Sequence, residues 1–145
     1  FQPHAPRREL RFYNTHTNES LEVCYCADGR YLPEGLRAVN HIMRDHRTGE
    51  VRPIDPRLLD LLHGIYQQAG GAPPLHIVSG YRSPATNAAL RRRSGGVARR
   101  SLHMQGTAAD IRIPEFPLPR LHKIALGLGK GDPSPVTVSV DLAGT

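Results

Sequence analysis

No apolar run in these 145 residues approaches the roughly 18 that a helical bilayer crossing needs. Internal repeats are absent as well, so solenoids and propellers give way to a globular domain as the default. Cysteine is scarce, with Cys24 and Cys26 alone. Within a strand they would face the same way, roughly 6.5 to 7 Å apart at Cα, at or beyond disulfide reach. No second cysteine pair completes a thiolate zinc site, so both read as structural and leave the redox compartment open. The chain also lacks an initiating methionine and begins at Phe1, as expected of a processed or trimmed form and compatible with a removed export signal.

What is present in excess is positive charge: 19 Lys and Arg against 13 Asp and Glu, for a net charge of +6. Arg91, Arg92, Arg93, Arg99 and Arg100 concentrate it. Such a cluster suits nucleic acid, an anionic wall polymer or a membrane surface, and equally a solvated loop and helix end. No aromatic residue is interleaved with these arginines, which ranks single-stranded nucleic acid well below the others.

The pattern along the chain is α+β, with a small mixed or antiparallel sheet flanked by helices. Residues 1–9 read as a loosely ordered arm, and residues 10–145 as a single domain. Two β-rich runs around Asn18 suggest a hairpin. In the second, Leu21, Val23 and Tyr25 alternate with Glu22, Cys24 and Cys26. A helix is expected from about Pro33. Asp55 with Pro56, and Ser83 with Pro84, are cap-plus-proline starts for two more. A short strand is expected over Leu75–Val78, and a further helix from Pro117 or Pro119. In "VTVSVD", Val136, Val138 and Val140 share one face while Thr137, Ser139 and Asp141 share the other. The "GLGKGD" stretch lacks the spacer and the Ser or Thr of a phosphate loop, and reads as a helix end followed by a turn.

Chemistry concentrates in "SLHMQGTAADIRI". Over Thr107–Ile113, Ala109, Ile111 and Ile113 face one way, whereas Ala108, Asp110 and Arg112 face the other. Taken alone, a strand aspartate more often pairs with arginine than binds metal, and Arg112 on its own face is available. His103 lies seven residues before Asp110, with Gly106 allowing a turn between them. Imidazole and carboxylate are both zinc ligands, yet a catalytic zinc normally has three protein ligands.

"SGYRSPATNAALRRRSGGVARRSLHMQGTAADIRI", together with "DGRY" and "NHIMRDHRTGEVRPIDPRLLDLL", resembles the murein endopeptidase K-like zinc peptidases over roughly residues 10 to 128. These are related to D-Ala-D-Ala carboxypeptidases and share the hedgehog-type fold. The resemblance implies that His103 and Asp110 are zinc ligands. It also implies that Arg82 holds a substrate carboxylate or carbonyl, for which the planar guanidinium fork is suited.

The chain departs from the family at the third ligand. Relatives end in a tyrosine-containing glycine loop and a strand reading like "FVHVD". The alignment places Ser139 at that histidine, and a serine hydroxyl is a poor zinc ligand at neutral pH. Asp141 shares the face of Ser139 and is the candidate base, with a strand-capping or orienting role as its alternative. His41, His46, His76 and His122 match no ligand position. The resemblance implies zinc-dependent cleavage of peptidoglycan peptides by an exported or periplasmic protein, impaired at Ser139. The other expectation is a non-catalytic peptidoglycan- or protein-binding module with a degraded metal site.

Overall fold

The computed structural model describes residues 7–71, 73–99, 101–130 and 136–140. Six strands form one mixed sheet: β1 (Arg7–Asn14), β2 (Ser20–Ala27), β3 (Arg30–Tyr31), β4 (Leu75–Ser79), β5 (Ala108–Arg112) and β6 (Thr137–Val140). Their spatial order is β3-β2-β1-β4-β5-β6. The β1–β2 hairpin and the β4–β5 pair are antiparallel, whereas β1–β4 and β5–β6 are parallel. Four helices accompany the sheet: α1 (Pro33–Ile42), α2 (Pro56–Gln68), α3 (Pro84–Arg93) and α4 (Leu118–Lys130). This is the α+β arrangement expected from the sequence.

Local signals explain the helix starts. The Asp55 side chain accepts the Arg57 N–H at α2, and the Ser83 hydroxyl accepts the Thr86 N–H at α3, each with proline in the first helical position. Helix α2 buries Leu58, Leu59, Leu61, Leu62, Ile65 and Tyr66, each contributing about 1.5–3 kcal/mol of transfer free energy. They join Leu10 and Phe12 of β1, Leu75 and Ile77 of β4 and the Ala109–Ile111–Ile113 face of β5 in one core. Helix α3 is different: it buries only Thr86 and Asn87, and Arg91–Arg93 lie exposed at its end, where cations favour the helix dipole.

Two expectations need correction. Strand β1 begins at Arg7, inside the stretch read as an arm; residues 1–6 lie outside the described residues. Its charged start is held by pairing with the end of β2 and by Arg8, whose Nη1 donates to Asp60 Oδ1 of α2 at 2.8 Å. The alternation expected in β2 also breaks. Arg8 pairs with Cys26 but Glu9 with Cys24, leaving Tyr25 as an extra residue in a bulge. Tyr25 and Cys26 are therefore both buried. The hydroxyls of Tyr25 and Tyr31 donate to Asp60 at 2.8 and 2.5 Å, tying the hairpin to α2. Burial and the Asp60 charge push the Tyr31 phenol up to about 12. Both cysteines are free thiols.

The loop after α1 is organised by Asp45, which is 1% exposed. Its Oδ1 accepts the N–H of Arg47 at 2.8 Å and of Thr48 at 3.3 Å, and its Oδ2 accepts the Ser83 N–H at 2.8 Å. Nearby, Tyr81 N–H donates to Met43 O at 2.8 Å, and a Cβ on Gly80 would lie 2.6 Å from that same oxygen. Backbone thus meets backbone at the turn between β4 and α3.

Two predictions follow from these contacts. Burial alone would raise the Asp45 pKa, but hydrogen bonds from Ser83, Thr86 and Arg47 outweigh it and hold the carboxyl well below the usual range. The resulting stabilisation is present above about pH 4 and is lost as pH falls through the folded value. Asp45→Asn should therefore lower stability by about 2–4 kcal/mol at pH 7. In urea melts the gap to wild type should narrow below pH 4; a pH-independent gap would contradict this account. Gly106 has φ +73°, and a Cβ there would lie 2.5 Å from Pro53 O. Gly106→Ala should destabilise by about 1–3 kcal/mol or more; an unchanged urea midpoint would show that the turn yields.

Candidate active site

The candidate site is assembled where β4, β5 and β6 run side by side. In β5, the core takes Ala109 and Ile111, which leaves Asp110 on the opposite face, half-buried. Strand β4 would normally carry Ser79 on the core face with Leu75 and Ile77. A bulge intervenes: Ile77 pairs with Ile111, but Ser79 pairs with Asp110, so Val78 is the extra residue. The bulge moves Ser79 to the face of Asp110. On the other side Asp110 is in parallel register with Ser139, which is exposed. Two serines thus flank the aspartate across the sheet.

His103 arrives on a short 3-10 helix, Leu102–Gln105, capped by the Ser101 hydroxyl and closed by Gly106 in the left-handed region. Its Nδ1 lies 2.9 Å from Gly80 O. A carbonyl oxygen only accepts, so Nδ1 carries the proton and Nε2 presents its lone pair in the neutral ring. That Nε2 lies 3.4 Å from Asp110 Oδ2, longer than the ~2.7–2.9 Å of a good charge-assisted hydrogen bond. Two ligands of a tetrahedral zinc, each at about 2.0–2.2 Å, stand about 3.4 Å apart. One imidazole nitrogen and one carboxylate oxygen therefore fit two corners of such a site.

Ser79, His103 and Asp110 also form a string that invites comparison with a serine hydrolase triad. The Ser79 Oγ to His103 Nδ1 separation is 3.5 Å. Because Nδ1 donates to Gly80 O, it cannot take the serine proton, and the string does not supply an activated nucleophile.

Arg82 enters from the turn before α3. Its N–H donates to His103 O at 3.0 Å, which ties the turn to the 3-10 helix. The guanidinium makes long contacts of 3.4 Å to Asn87 Oδ1 and to Ser79 Oγ. Burial lowers the Arg82 pKa, the Asp110 charge opposes that effect, and the group stays protonated at neutral pH. Asn87, 2% exposed, also donates through Nδ2 to Ala98 O at 2.9 Å and Arg99 O at 3.3 Å. Arginine can only donate and carbonyls can only accept, so the orientation of this amide is determined. Asn87 links the cleft arginine to the basic loop that leads to His103.

The structure brings together His103, Asp110, Arg82 and Ser139. Asp141 and Arg100 lie outside the described residues. His41 faces Glu19 at 3.7 Å, His46 stacks on His16 with ring centroids 3.8 Å apart, and His76 meets Tyr13; His122 is on α4. Among the described residues no three His, Cys, Asp or Glu side chains converge on one point. Sequence reasoning missed Ser79, Gly80, Asn87 and Asp45. Asp45 alone carried a local signal, an aspartate ahead of a Thr-Gly turn that suits side-chain capping of backbone N–H groups.

A peptidase family profile described as peptidoglycan L,D-endopeptidase MepK matches residues 2–134. The peptidoglycan L,D-endopeptidase MepK of Escherichia coli strain K12 is 41% identical over 129 residues, spanning 88% of this chain and 70% of the relative. The probable peptidoglycan L,D-endopeptidase MepK of Haemophilus influenzae is 36% identical over 125 residues, 86% of this chain and 67% of that protein. No solved structure matches. The chain belongs to the MepK family of peptidoglycan endopeptidases.

Proposed function

We propose that the protein hydrolyses peptide bonds in bacterial peptidoglycan with a zinc ion held by His103 and Asp110, and that Ser139 leaves this site weaker than in its relatives. The observation that carries the reading is the His103–Asp110 pair, with Nδ1 committed to Gly80 O and Nε2 facing Oδ2 at 3.4 Å. When bound, zinc supplies a Lewis acid that polarises an amide carbonyl and acidifies water. The Gly80 carbonyl keeps His103 in the ligating tautomer. Arg82 donates to a carboxylate or carbonyl oxygen of the substrate and orients it. Asp141, two residues beyond Ser139, is the candidate to take the proton of the attacking water. Family membership and the peptidoglycan-directed names of the relatives support the substrate class and an exported or periplasmic location. Among the described residues no helix is long and apolar enough to cross a membrane.

A second reading has its own support. Ser139 stands in register with Asp110, where a third ligand would have to reach the metal. On that reading the cleft binds peptidoglycan or a protein partner without cleaving it.

The readings separate on metal content and turnover. As a zinc peptidase, purified wild type carries near-stoichiometric zinc and releases fragments from purified murein. His103→Ala should then lose the zinc and at least about 10²-fold of the activity. Metal-free, inactive wild type would sink the peptidase reading. Ser139→His should raise zinc affinity, read by competition with a chelator. An unchanged affinity would count against Ser139 as the third-ligand position.

A further inference from the structure

We propose that Arg47 and Arg82 together form a two-guanidinium subsite for a free carboxylate of the substrate, with Arg47 the residue that selects for it. The proposal deepens the reading above and rests on the cleft receiving peptidoglycan peptides.

The two arginines share one support. Asp45 Oδ1 accepts the Arg47 N–H and Oδ2 accepts the Ser83 N–H, both at 2.8 Å, and Arg82 immediately precedes Ser83. One buried carboxylate therefore fixes the backbone from which both side chains leave. The main-chain bond from Tyr81 to Met43 O locks the two segments a second time.

The two guanidiniums are also underused. Arg47 is exposed, and among the described residues its side chain has no hydrogen-bonded or ion-paired partner. Its neighbour Arg44 is committed to Glu19, at 2.8 and 3.3 Å. Among the described residues the Arg82 guanidinium makes only two hydrogen bonds, both at 3.4 Å, to Asn87 and Ser79, which leaves donors of its fork for a ligand. Both side chains leave main chain that is tied to the two oxygens of the one Asp45 carboxylate. Two like charges held this way repel in the free protein, and an anion between them relieves the repulsion. A carboxylate matches the planar fork.

Charge assigns the two parts of the site. In the proposed function His103 and Asp110 are taken up by the metal, so Arg47 and Arg82 are the cationic side chains left for a substrate carboxylate. A carboxylate held by the two guanidiniums leaves the uncharged amide for His103 and Asp110. Cross-linked stem peptides with free carboxylates are the ligand class this arrangement takes.

The test compares a purified cross-linked dimeric muropeptide with the same dimer after its free carboxylates are converted to amides. Arg47→Gln keeps the main-chain bond to Asp45, and an unchanged melting temperature would verify the fold. The variant should raise KM for the free-acid dimer about tenfold or more, with a much smaller change in kcat. Toward the amidated dimer, wild type and variant should behave alike. Equal KM values on the free acid, or equal losses on both dimers, would overturn the proposal. A calorimetric titration with the free-acid dimer in the His103→Ala background reads binding without turnover. There Arg47→Gln should weaken binding about tenfold, and a matching Kd would overturn the subsite. Wild type that hydrolyses nothing while this Arg47-dependent binding persists would refute the peptidase reading alone.

Discussion

The candidate site depends on one carboxylate that takes no direct part in it. Asp45 is buried and accepts N–H groups from two segments far apart in the chain, its own loop and the start of α3. Burial of a charged acceptor is unfavourable unless its oxygens are satisfied, and here backbone donors satisfy them. The turn held in this way carries Gly80, whose carbonyl sets the His103 tautomer, and Arg82, whose N–H holds His103 O. Removing the carboxylate would free the turn that aims both residues. The close approach of Gly80 to Met43 O shows how little slack that turn has.

Much of the scaffold was legible because its signals are local. The caps Asp55 and Ser83, each followed by proline, start helices where expected, and the alternation of β5 separates Asp110 from the core. Features that depend on a partner strand were not legible. The bulges at Tyr25 and Val78 exist only relative to β1 and β5, so alternation along a single strand predicted the wrong side for Cys26 and gave no reason to place Ser79 beside Asp110. The strand over Arg7–Glu9 escaped notice for a similar reason, since charged residues there are held by Asp60 in a distant helix. Asn87 looked like an ordinary residue of a helical first turn, and its meaning comes from carbonyls eleven and twelve residues on. His103, Asp110 and Arg82 were named through resemblance to a family, because neither residue type nor spacing singles them out.

The donor chemistry at the cleft is more restrictive than the residue names. A histidine beside an aspartate commonly forms a hydrogen-bonded pair, with the ring donating to the carboxylate. Here the donating nitrogen is engaged by a main-chain carbonyl, so in the neutral ring a lone pair faces a carboxylate oxygen. Two acceptors placed face to face call for a proton or a cation between them. That same engagement keeps Ser79 from becoming a nucleophile. A single backbone oxygen thus disfavours one hydrolytic chemistry and leaves the donor set of another.

Strand β6 has consequences for how such a site changes over time. Among the described residues it lies at the margin of the sheet, paired only with β5, and Ser139 points away from the core. Asp110, by contrast, lies on β5 between two neighbouring strands, and His103 is held by the Gly80 carbonyl and the Arg82 N–H. Mutational tolerance is therefore uneven around the cleft: the corner at Ser139 can be exchanged with little penalty in folding, while the other two are tied to the interior. On the proposed function, a lineage can weaken or restore metal affinity at that outer position while the framework anchored on Asp45 stays intact.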